Sequence, residues 1–241
     1  MDLLRSVIAC REQANESGRS DLLKNYVSAS VLAANMLDLR SEVQRLEKSG
    51  IDMLHFDVMD GIFVNNITFG LPVLQQIRKV SDITLDVHLM IKEPLKYIKR
   101  FAEAGADIIS FHLESDSDAA ETLKAIKECG VKTAIAVKPA TPAEDVFEFL
   151  PYLDMVLIMT VEPGFGGQSF NYDTVDKIKA VRAEISRLGL DVDVEVDGGI
   201  NNKTASIVRS AGANVLVSGS YLFNADDMAA AAVSLKEDAV C

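Results

Sequence analysis

Strand-like apolar runs alternate with helix-like amphipathic stretches along this chain, and this alternation limits the possible folds more than any other feature. Stretches such as LRSEVQRLEKSG and SDAAETLKAIKECG place apolar residues at helical spacing. Eight βα units predict an all-parallel sheet covered by helices, and closing that sheet gives an α/β fold of the (β/α)8 TIM barrel class. The eight predicted strands are Tyr26–Leu32, Met53–Asp57, Thr84–His88, Ile108–His112, Thr133–Val137, Met155–Met159, Val192–Val196 and Asn214–Ser218.

Signals at the helix ends support this interpretation. Thr141-Pro142 supplies an N-cap residue and a proline at the first helical position, and Glu144 and Asp145 follow where a helix N-terminus favours negative charge. An open doubly wound sheet is the rival architecture, but eight units without a GxGxxG opening favour the barrel. Five glycines follow periodic stretches and are typical left-handed helix stops: Gly50, Gly105, Gly130, Gly189 and Gly212.

The length of the chain suits one barrel with a short extension. The chain has 241 residues, and such barrels commonly take about 250. We expect a single catalytic barrel domain over residues 25–241. Residues 1–24 stand outside the repeat, and their apolar positions predict one face of a helix that packs against the barrel: Leu3, Leu4, Val7 and Ile8.

Charge, hydropathy and cysteine content exclude several classes of protein. The formal net charge is −12, which argues against nucleic-acid binding and leaves any phosphate to backbone N–H groups. The apolar runs fall far short of the roughly 20 residues that span a bilayer, and the N-terminal sequence fits neither a secretory signal nor a transit peptide. Cys10, Cys129 and Cys241 stand apart, so we expect a reduced, cytoplasmic protein without a membrane partner.

All three histidines of the chain fall at the ends of predicted strands, where barrels carry their chemistry. The ends of the second, third and seventh strands together predict a site for one divalent metal, Zn2+, Fe2+, Mn2+ or Co2+, held by His55, Asp57, His88 and Asp197. The alternative is that each histidine is a hydrogen-bonded core residue. For His112, a structural bond to Glu114 two residues later fits at least as well as a ligand role.

Three glycine-rich segments follow the sixth, seventh and eighth predicted strands. They are PGFGGQ (Pro163–Gln168), DGGI (Asp197–Ile200) and SGS (Ser218–Ser220). Barrels often bind phosphate at the loops after strands 7 and 8, and successive peptide N–H groups form an anion nest. These segments therefore predict a phosphate site, with the long loop after the sixth strand as a candidate lid. Ordinary turn chemistry is the alternative.

Taken in order, six segments resemble the successive motifs of the ribulose-phosphate 3-epimerase family. They are LHFDVMDGIFVNNITFG, DVHLMI, FHLE, IMTVEPGFGGQSF, EVDGGI and GANVLVSGS. The similarity runs from about Tyr26 to Phe223. It implies a (β/α)8 barrel that interconverts D-ribulose 5-phosphate and D-xylulose 5-phosphate by inversion at C3.

The resemblance also implies roles for individual residues. It implies that Asp57 and Asp197 are the two acid/base groups, that both bind a divalent metal with His55 and His88, and that Ser30 and His88 touch substrate. Three methionines would pack around the reacting carbons: Met59, Met90 and Met159. The phosphate would be held by Gly164, Phe165, Gly166, Gly167, Gly198, Gly199, Gly219 and Ser220. The implied partner is a small-molecule sugar phosphate, and we expect a homo-oligomer.

The implied chemistry is physically consistent with these residue types. A proton beside a ketone is weakly acidic, and a metal ion at the C2 carbonyl oxygen stabilises the charge that develops when the proton leaves. Inversion then requires one carboxyl group on each face of the planar intermediate. The two groups must differ in protonation, so their pKa values must be split.

Four positions depart from the usual motifs of the family. Ala29, Asn35, Ile62 and Asn65 stand where a proline, an acid, a histidine and a proline are usual. We expect them near the rim, where side chains set the size of the substrate, so a 3-epimerase of a six-carbon ketose phosphate such as D-allulose 6-phosphate is the nearest alternative. A Schiff-base aldolase using Lys138 and a non-catalytic binding barrel are alternatives of other classes.

Overall fold

The computed structural model describes residues 24–237 of the chain. The helix expected in the N-terminal extension, with Leu3, Leu4, Val7 and Ile8, lies outside the described residues, as do Cys10 and Cys241. Cys129 is an exposed free thiol. Between residues 24 and 237, every helix is too short or too polar to cross a bilayer.

Eight parallel strands form a closed barrel in which each strand pairs with its neighbours in chain order and β8 pairs with β1. The predicted (β/α)8 architecture is therefore confirmed, and the predicted strand ends lie within two residues of those observed. The strands are β1 Tyr26–Ser30, β2 Met53–Met59, β3 Thr84–Met90, β4 Ile108–His112, β5 Lys132–Val137, β6 Met155–Met159, β7 Asp193–Asp197 and β8 Val215–Ser218.

Helices follow the strands and cover the outside of the barrel. Their apolar stripes pack against the outward faces of the strands, as Val43 and Leu46 of the first helix do. The α-helices are α1 Leu39–Lys48, α2 Leu71–Arg78, α3 Ile98–Glu103, α4 Ala119–Glu128, α5 Val175–Leu188, α6 Ala205–Ser210, α7 Ser220–Phe223 and α8 Met228–Lys236. Short 3-10 helices occupy Val31–Ala33, Met36–Asp38, Pro94–Lys96 and Tyr172–Thr174, and a longer one occupies Ala143–Tyr152.

The segment after β5 differs from the sequence prediction. It is a 3-10 helix that begins after Pro142, and Thr141 does not cap it. The Thr141 hydroxyl instead donates a hydrogen bond to the Glu114 carboxylate in the loop after β4. The five glycines predicted as helix stops all have positive φ angles, which agrees with their expected role.

The barrel interior changes from apolar to polar along its axis. Near the N-terminal ends of the strands lies an apolar layer of Met53, Ile108, Ala134, Met155 and Val215. One layer closer to the C-terminal ends, several inward positions carry fully buried polar side chains: Ser28, His55, Asp86, Ser110 and Glu195. Burying such groups costs free energy unless they are paired, so this end of the barrel is organised as a site rather than as a core.

Candidate active site

An open cleft of about 1230 Å³ lies at the C-terminal end of the strands. Most candidate residues from the sequence line it: Ser30, Asp57, Met59, Met90, Met159, Gly164, Phe165, Gly166, Gly167, Asp197, Gly198, Gly199, Gly219 and Ser220. The other two candidates, His55 and His88, are fully buried and contact Asp57 at the bottom of the cleft. The fold therefore gathers at one mouth residues that are far apart in the chain.

The four candidate metal ligands form one compact cluster. One ligand atom from each of His55, Asp57, His88 and Asp197 lies within 4.8 Å of all the others. His55 Nε2 is 3.4 Å from Asp57 Oδ1 and 3.9 Å from Asp197 Oδ2. His88 Nδ1 is 3.3 Å from His55 Nε2 and 3.4 Å from Asp57 Oδ1. Strand register explains this convergence, because Asp57 on β2 pairs with His88 on β3.

The donor set of this cluster fits a divalent metal ion. Two imidazole nitrogens and two carboxylates meet in a buried space, a mixed set that suits Zn2+, Fe2+, Mn2+ or Co2+. The other ring nitrogen of His55, Nδ1, lies 2.6 Å from Asp86 Oδ2. Histidines that bind metals commonly donate this outer N–H to a carboxylate, which orients the ring.

Local surroundings shift the pKa values of the two candidate acids in opposite directions. Burial opposes charge on Asp57, but the positive charge of His55 and the hydrogen bond from His55 outweigh it and hold the pKa of Asp57 well below its usual range. Burial raises the pKa of Asp197 to about 7; His55 opposes this rise, and the charges of Asp57 and Asp86 add to it. Near neutral pH the protein groups alone thus present one ionised carboxylate and one partly protonated carboxyl group, the pattern of an acid–base pair.

Neighbouring side chains orient Asp57 and line the space beside it. Ser30 Oγ, at the end of β1, donates a hydrogen bond of 2.8 Å to Asp57 Oδ2, so the second carboxylate oxygen is fixed as well. Met59 and Met90 pack with Val64 in a small buried cluster, and Met159 packs in another. Methionine is polarizable and adaptable, so the acids face an apolar wall that tolerates changes in ligand shape.

Glycine backbone forms the opposite side of the cleft. A Cβ on Gly199, whose φ is +68°, would lie 2.5 Å from the backbone nitrogen of Phe170, so the loops after β6 and β7 pack this closely only with glycine there. Thr204 Oγ1 donates to Gly199 O at 3.1 Å and fixes the turn. Of the described residues that line the cleft, none is lysine or arginine, so an anion bound there would contact peptide N–H groups and hydroxyls.

Sequence reasoning missed two acids in the buried layer below the metal-ligand cluster, Asp86 and Glu195. Both are fully buried, and Glu195 Oε1 lies 3.6 Å from His55 Nδ1. Burial, together with the nearby charge of Asp86, raises the pKa of Glu195 well above its usual range. A usable signal was present, because each acid stands two residues before a candidate ligand on its own strand and therefore faces the same side.

The loop after β2 contains another missed residue, Asn66. Its Nδ2 donates a hydrogen bond of 2.8 Å to the carbonyl oxygen of Gly164 in the glycine-rich loop after β6, and its side chain lines the cleft. Ile62 and Asn65, which the sequence suggested as determinants of substrate size, are exposed and do not line the cleft.

The lysine considered for Schiff-base chemistry points elsewhere. Lys138 Nζ lies 4.1 Å from the centroid of the Phe63 ring, a cation–π contact. Lys138 is not among the residues that line the cleft. It is therefore poorly placed to attack a carbonyl group bound beside Asp57 and Asp197.

Comparisons with known proteins agree with the sequence resemblance. The profile of the Ribulose-phosphate 3 epimerase family matches residues 26–223. Ribulose-phosphate 3-epimerase of Bacillus subtilis is 46% identical over 202 residues, which cover 83% of this chain and 93% of that protein. The Synechocystis sp. protein of the same name is 45% identical over 216 residues, covering 88% and 94%, and that of Candida glabrata is 40% identical over 222 residues, covering 86% and 89%.

Solved structures with the same architecture are more distant in sequence. A 3-hexulose-6-phosphate synthase aligns with a TM-score of 0.63 at 20% identity, covering 88% of this chain and 98% of that one. A mutant tryptophan synthase α-subunit from Pyrococcus furiosus aligns with a TM-score of 0.62 at 16% identity, covering 89% and 96%. At these identities the likeness concerns the barrel fold alone.

Proposed function

Because the chain belongs to the ribulose-phosphate 3-epimerase family, we propose that it interconverts D-ribulose 5-phosphate and D-xylulose 5-phosphate by inverting C3. The observation that carries this proposal is the convergence of Asp57 and Asp197 on one buried cluster with pKa values shifted in opposite directions. An ionised carboxylate can remove the C3 proton, and a protonated carboxyl group can deliver one.

Each acid acts on one face of the substrate. Asp57 and Asp197 extend from β2 and β7, which β1 and β8 separate on the shorter way around the barrel. A planar intermediate bound between the two side chains has one carboxyl group on each face, which is what inversion requires. Ser30 keeps the Asp57 carboxylate in its orientation through the 2.8 Å hydrogen bond.

The residues that would hold one divalent cation, Zn2+, Fe2+, Mn2+ or Co2+, are His55, Asp57, His88 and Asp197. When bound, such an ion supplies positive charge beside the oxygen on which negative charge develops. Ser30, which lines the cleft, and His88, which is buried beside Asp57, are both proposed to touch the substrate.

The substrate phosphate is proposed to bind at the glycine side of the cleft. Its proposed partners are the hydroxyl of Ser220 and a set of peptide N–H groups. These N–H groups belong to Gly164, Phe165, Gly166, Gly167, Gly198, Gly199, Gly219 and Ser220. The loop after β6 is proposed to close over the ligand and exclude water. Met59, Met90 and Met159 line the same cleft and are proposed to pack around the reacting carbons.

A five-carbon ketose phosphate is the proposed substrate rather than a six-carbon one. The four motif positions that raised this question are not among the residues that line the cleft, so we expect their departure from the family pattern to leave the substrate space unchanged: Ala29, Asn35, Ile62 and Asn65. The homo-oligomer and the cytoplasmic location expected from the sequence stay predictions, which light scattering of the purified protein and cell fractionation test.

The decisive experiment follows inversion and proton exchange separately in deuterated water. Wild type should convert each five-carbon epimer into the other and should be faster on them than on D-allulose 6-phosphate. Asp57→Asn and Asp197→Asn should each slow inversion by about 10²- to 10⁴-fold, the usual contribution of an acid–base group. Each variant should still exchange the C3 hydrogen of the one epimer that its remaining acid faces.

Asp82→Asn is the matched control, because Asp82 is exposed just before β3 at the opposite end of the barrel. Metal content is measured in every sample, so that lost metal is not mistaken for a lost acid. If either variant keeps wild-type inversion with metal bound, the two-acid mechanism is wrong. If metal-loaded wild type inverts neither a five-carbon nor a six-carbon substrate, the epimerase proposal fails.

A further inference from the structure

A buried chain of side chains joins the wall of the barrel to one candidate metal ligand. His88 Nε2 lies 3.0 Å from His112 Nε2, and His112 Nδ1 lies 3.0 Å from Glu114 Oε2. Both imidazoles are fully buried, and the Phe63 ring packs on His112 with centroids 4.8 Å apart. Neither Glu114 nor His112 lines the cleft, and the hydrogen bonds that connect them to the candidate ligands run through His88.

Glu114 fixes the direction of the hydrogen bonds along this chain. Its Oε1 accepts the backbone N–H of Lys138 at 2.8 Å and also the Thr141 hydroxyl. Burial alone would raise the pKa of Glu114, but hydrogen bonds from His112, Thr141 and Lys138 lower it to about 2. An ionised carboxylate only accepts hydrogen bonds, so Nδ1 of His112 must carry the hydrogen that points at Oε2.

The position of the hydrogen on His112 in turn decides which imidazole donates in the hydrogen bond between His112 and His88. With its hydrogen on Nδ1, neutral His112 has a lone pair on Nε2. At 3.0 Å, the facing Nε2 of His88 must therefore donate. Neutral His88 is left with its lone pair on Nδ1, the atom that lies 3.4 Å from Asp57 Oδ1 within the cluster of candidate ligands.

We propose that Glu114 and His112 are positioning residues that set the tautomer of His88, so that His88 presents its Nδ1 lone pair to the candidate metal site. The inference rests on the proposed function, because it assumes that this site holds a cation. We call the chain of hydrogen bonds from Glu114 through His112 to His88 the relay. Without the relay, His88 could carry its hydrogen on Nδ1, and that nitrogen could not bind a metal until the hydrogen was displaced.

Glu114→Gln reverses the relay without changing the size of the side chain. The backbone N–H of Lys138 cannot turn away, so the amide oxygen takes the place of Oε1 and the NH2 group takes the place of Oε2. That group donates to Nδ1 of His112, which moves the hydrogen of His112 to Nε2. The Nε2 of His88 must then accept, and its hydrogen moves to Nδ1, against the metal site.

The first test reads the tautomers directly in the metal-free protein. The chain contains only three histidines, so 15N-histidine labelling gives a simple imidazole spectrum, and His112→Gln identifies the signals of His112. Wild type should show His112 protonated on Nδ1 and His88 on Nε2, and Glu114→Gln should show both reversed. His112 protonated on Nε2 in wild type overturns the proposal, whatever Glu114→Gln shows.

The second test measures Co2+ and Zn2+ affinity by titration. Glu114→Gln should bind both ions about 10- to 100-fold more weakly, the usual effect of losing a partner of a metal-bound histidine. Thr141→Val keeps the carboxylate, and Glu93→Gln alters an exposed acid paired with Lys96; both should retain wild-type tautomers, and Glu93→Gln should retain wild-type affinity.

The possible outcomes separate this inference from the function on which it rests. If wild type binds neither ion, the proposed metal site fails, whatever the tautomers are. If wild type binds metal and folded Glu114→Gln binds it equally with unchanged tautomers, the relay is wrong and the metal site stands.

Discussion

The side chain of Asn66 donates a hydrogen bond of 2.8 Å to the carbonyl oxygen of Gly164, and this bond ties the loop after β2 to the glycine-rich loop after β6. The first loop is itself hydrogen-bonded to β2, because Thr68 Oγ1 donates to the Asp57 carbonyl and accepts from the Met59 N–H. The proposed phosphate loop is therefore held against the strand that carries Asp57, one of the two proposed catalytic acids.

Asn66→Ala should loosen the loop after β6 and weaken substrate binding more than it slows the chemical step. A neutral hydrogen bond contributes about 0.5–1.5 kcal/mol, so KM for D-ribulose 5-phosphate should rise about two- to tenfold with a smaller change in kcat. Steady-state kinetics measure both constants. Gln76→Ala, which removes an exposed amide from α2, should leave both unchanged. A fall in kcat with constant KM would place Asn66 in the chemical step instead.

Gly199→Ala should damage the proposed phosphate site far more than Gly166→Ala. A Cβ at Gly199 would overlap the backbone of Phe170 at a positive φ, whereas nothing lies within 4 Å of a Cβ built at Gly166. The inhibition constant for inorganic phosphate should be at least about tenfold higher in Gly199→Ala than in wild type. In Gly166→Ala it should stay within about twofold of the wild-type value, since only the change at Gly199 moves peptide N–H groups. Equal inhibition constants in the three proteins would show that phosphate binds elsewhere.

The strands could be predicted from the sequence because their signals are local. A run such as Met155–Met159 is apolar, short and buried on both faces, which is the pattern of a strand in a parallel sheet. The stop at Gly189, with φ at +64°, is likewise a property of the chain next to it.

Where prediction failed, a contact distant in sequence decided the outcome. Thr141 has the residue type and position of a helix cap, but Glu114, 27 residues earlier, takes its hydroxyl. The two-residue spacing places Asp86 and Glu195 on the same strand faces as His88 and Asp197, but only the assembled barrel brings both acids beside His55. The resemblance to the family was enough to identify the candidate metal ligands. The supporting role of Asp86 and Glu195 could be identified only from the assembled barrel.

Metal-free protein should lose stability as pH falls from about 6.5 to 4, and His112 should account for part of this loss. Burial lowers the pKa of His112 to about 4 against the opposing hydrogen bond of Glu114, while the unfolded chain titrates near 6.5. Between these values the unfolded state binds a proton that the folded state does not, so the free energy of unfolding falls with falling pH, by about 3 kcal/mol at most.

Urea unfolding at several pH values, compared between wild type and His112→Gln, isolates this contribution from those of the other histidines. The difference between the two proteins should shrink as pH falls through this window and stay constant above pH 6.5. A difference that does not vary with pH would mean that His112 is protonated in the folded protein as readily as in the unfolded chain.

Lys138→Met should retain epimerase activity within about threefold, because the ammonium group lies over Phe63 rather than in the cleft. Both side chains are partly exposed, and a cation–π contact near the surface contributes about 0.5–1 kcal/mol. Borohydride added with substrate should leave the mass of the wild-type protein unchanged. A covalent adduct that appears in wild type and is absent from Lys138→Met would revive the Schiff-base alternative.

Removal of the proposed metal should lower stability together with activity. A ligand that binds only the folded state at a free concentration 100 times its Kd adds about 2.7 kcal/mol to the free energy of unfolding. In a domain of this size about 1 kcal/mol corresponds to about 2–4 °C in Tm, so chelation should lower Tm by roughly 5–10 °C. Re-addition of Co2+ or Zn2+ should restore both Tm and turnover.

His88→Asn, which removes one candidate ligand from the buried cluster, should show a much smaller metal-dependent rise in Tm, whereas Asp82→Asn should respond as wild type does. A metal-dependent rise in Tm that survives unchanged in His88→Asn would place the stabilising ion outside this cluster.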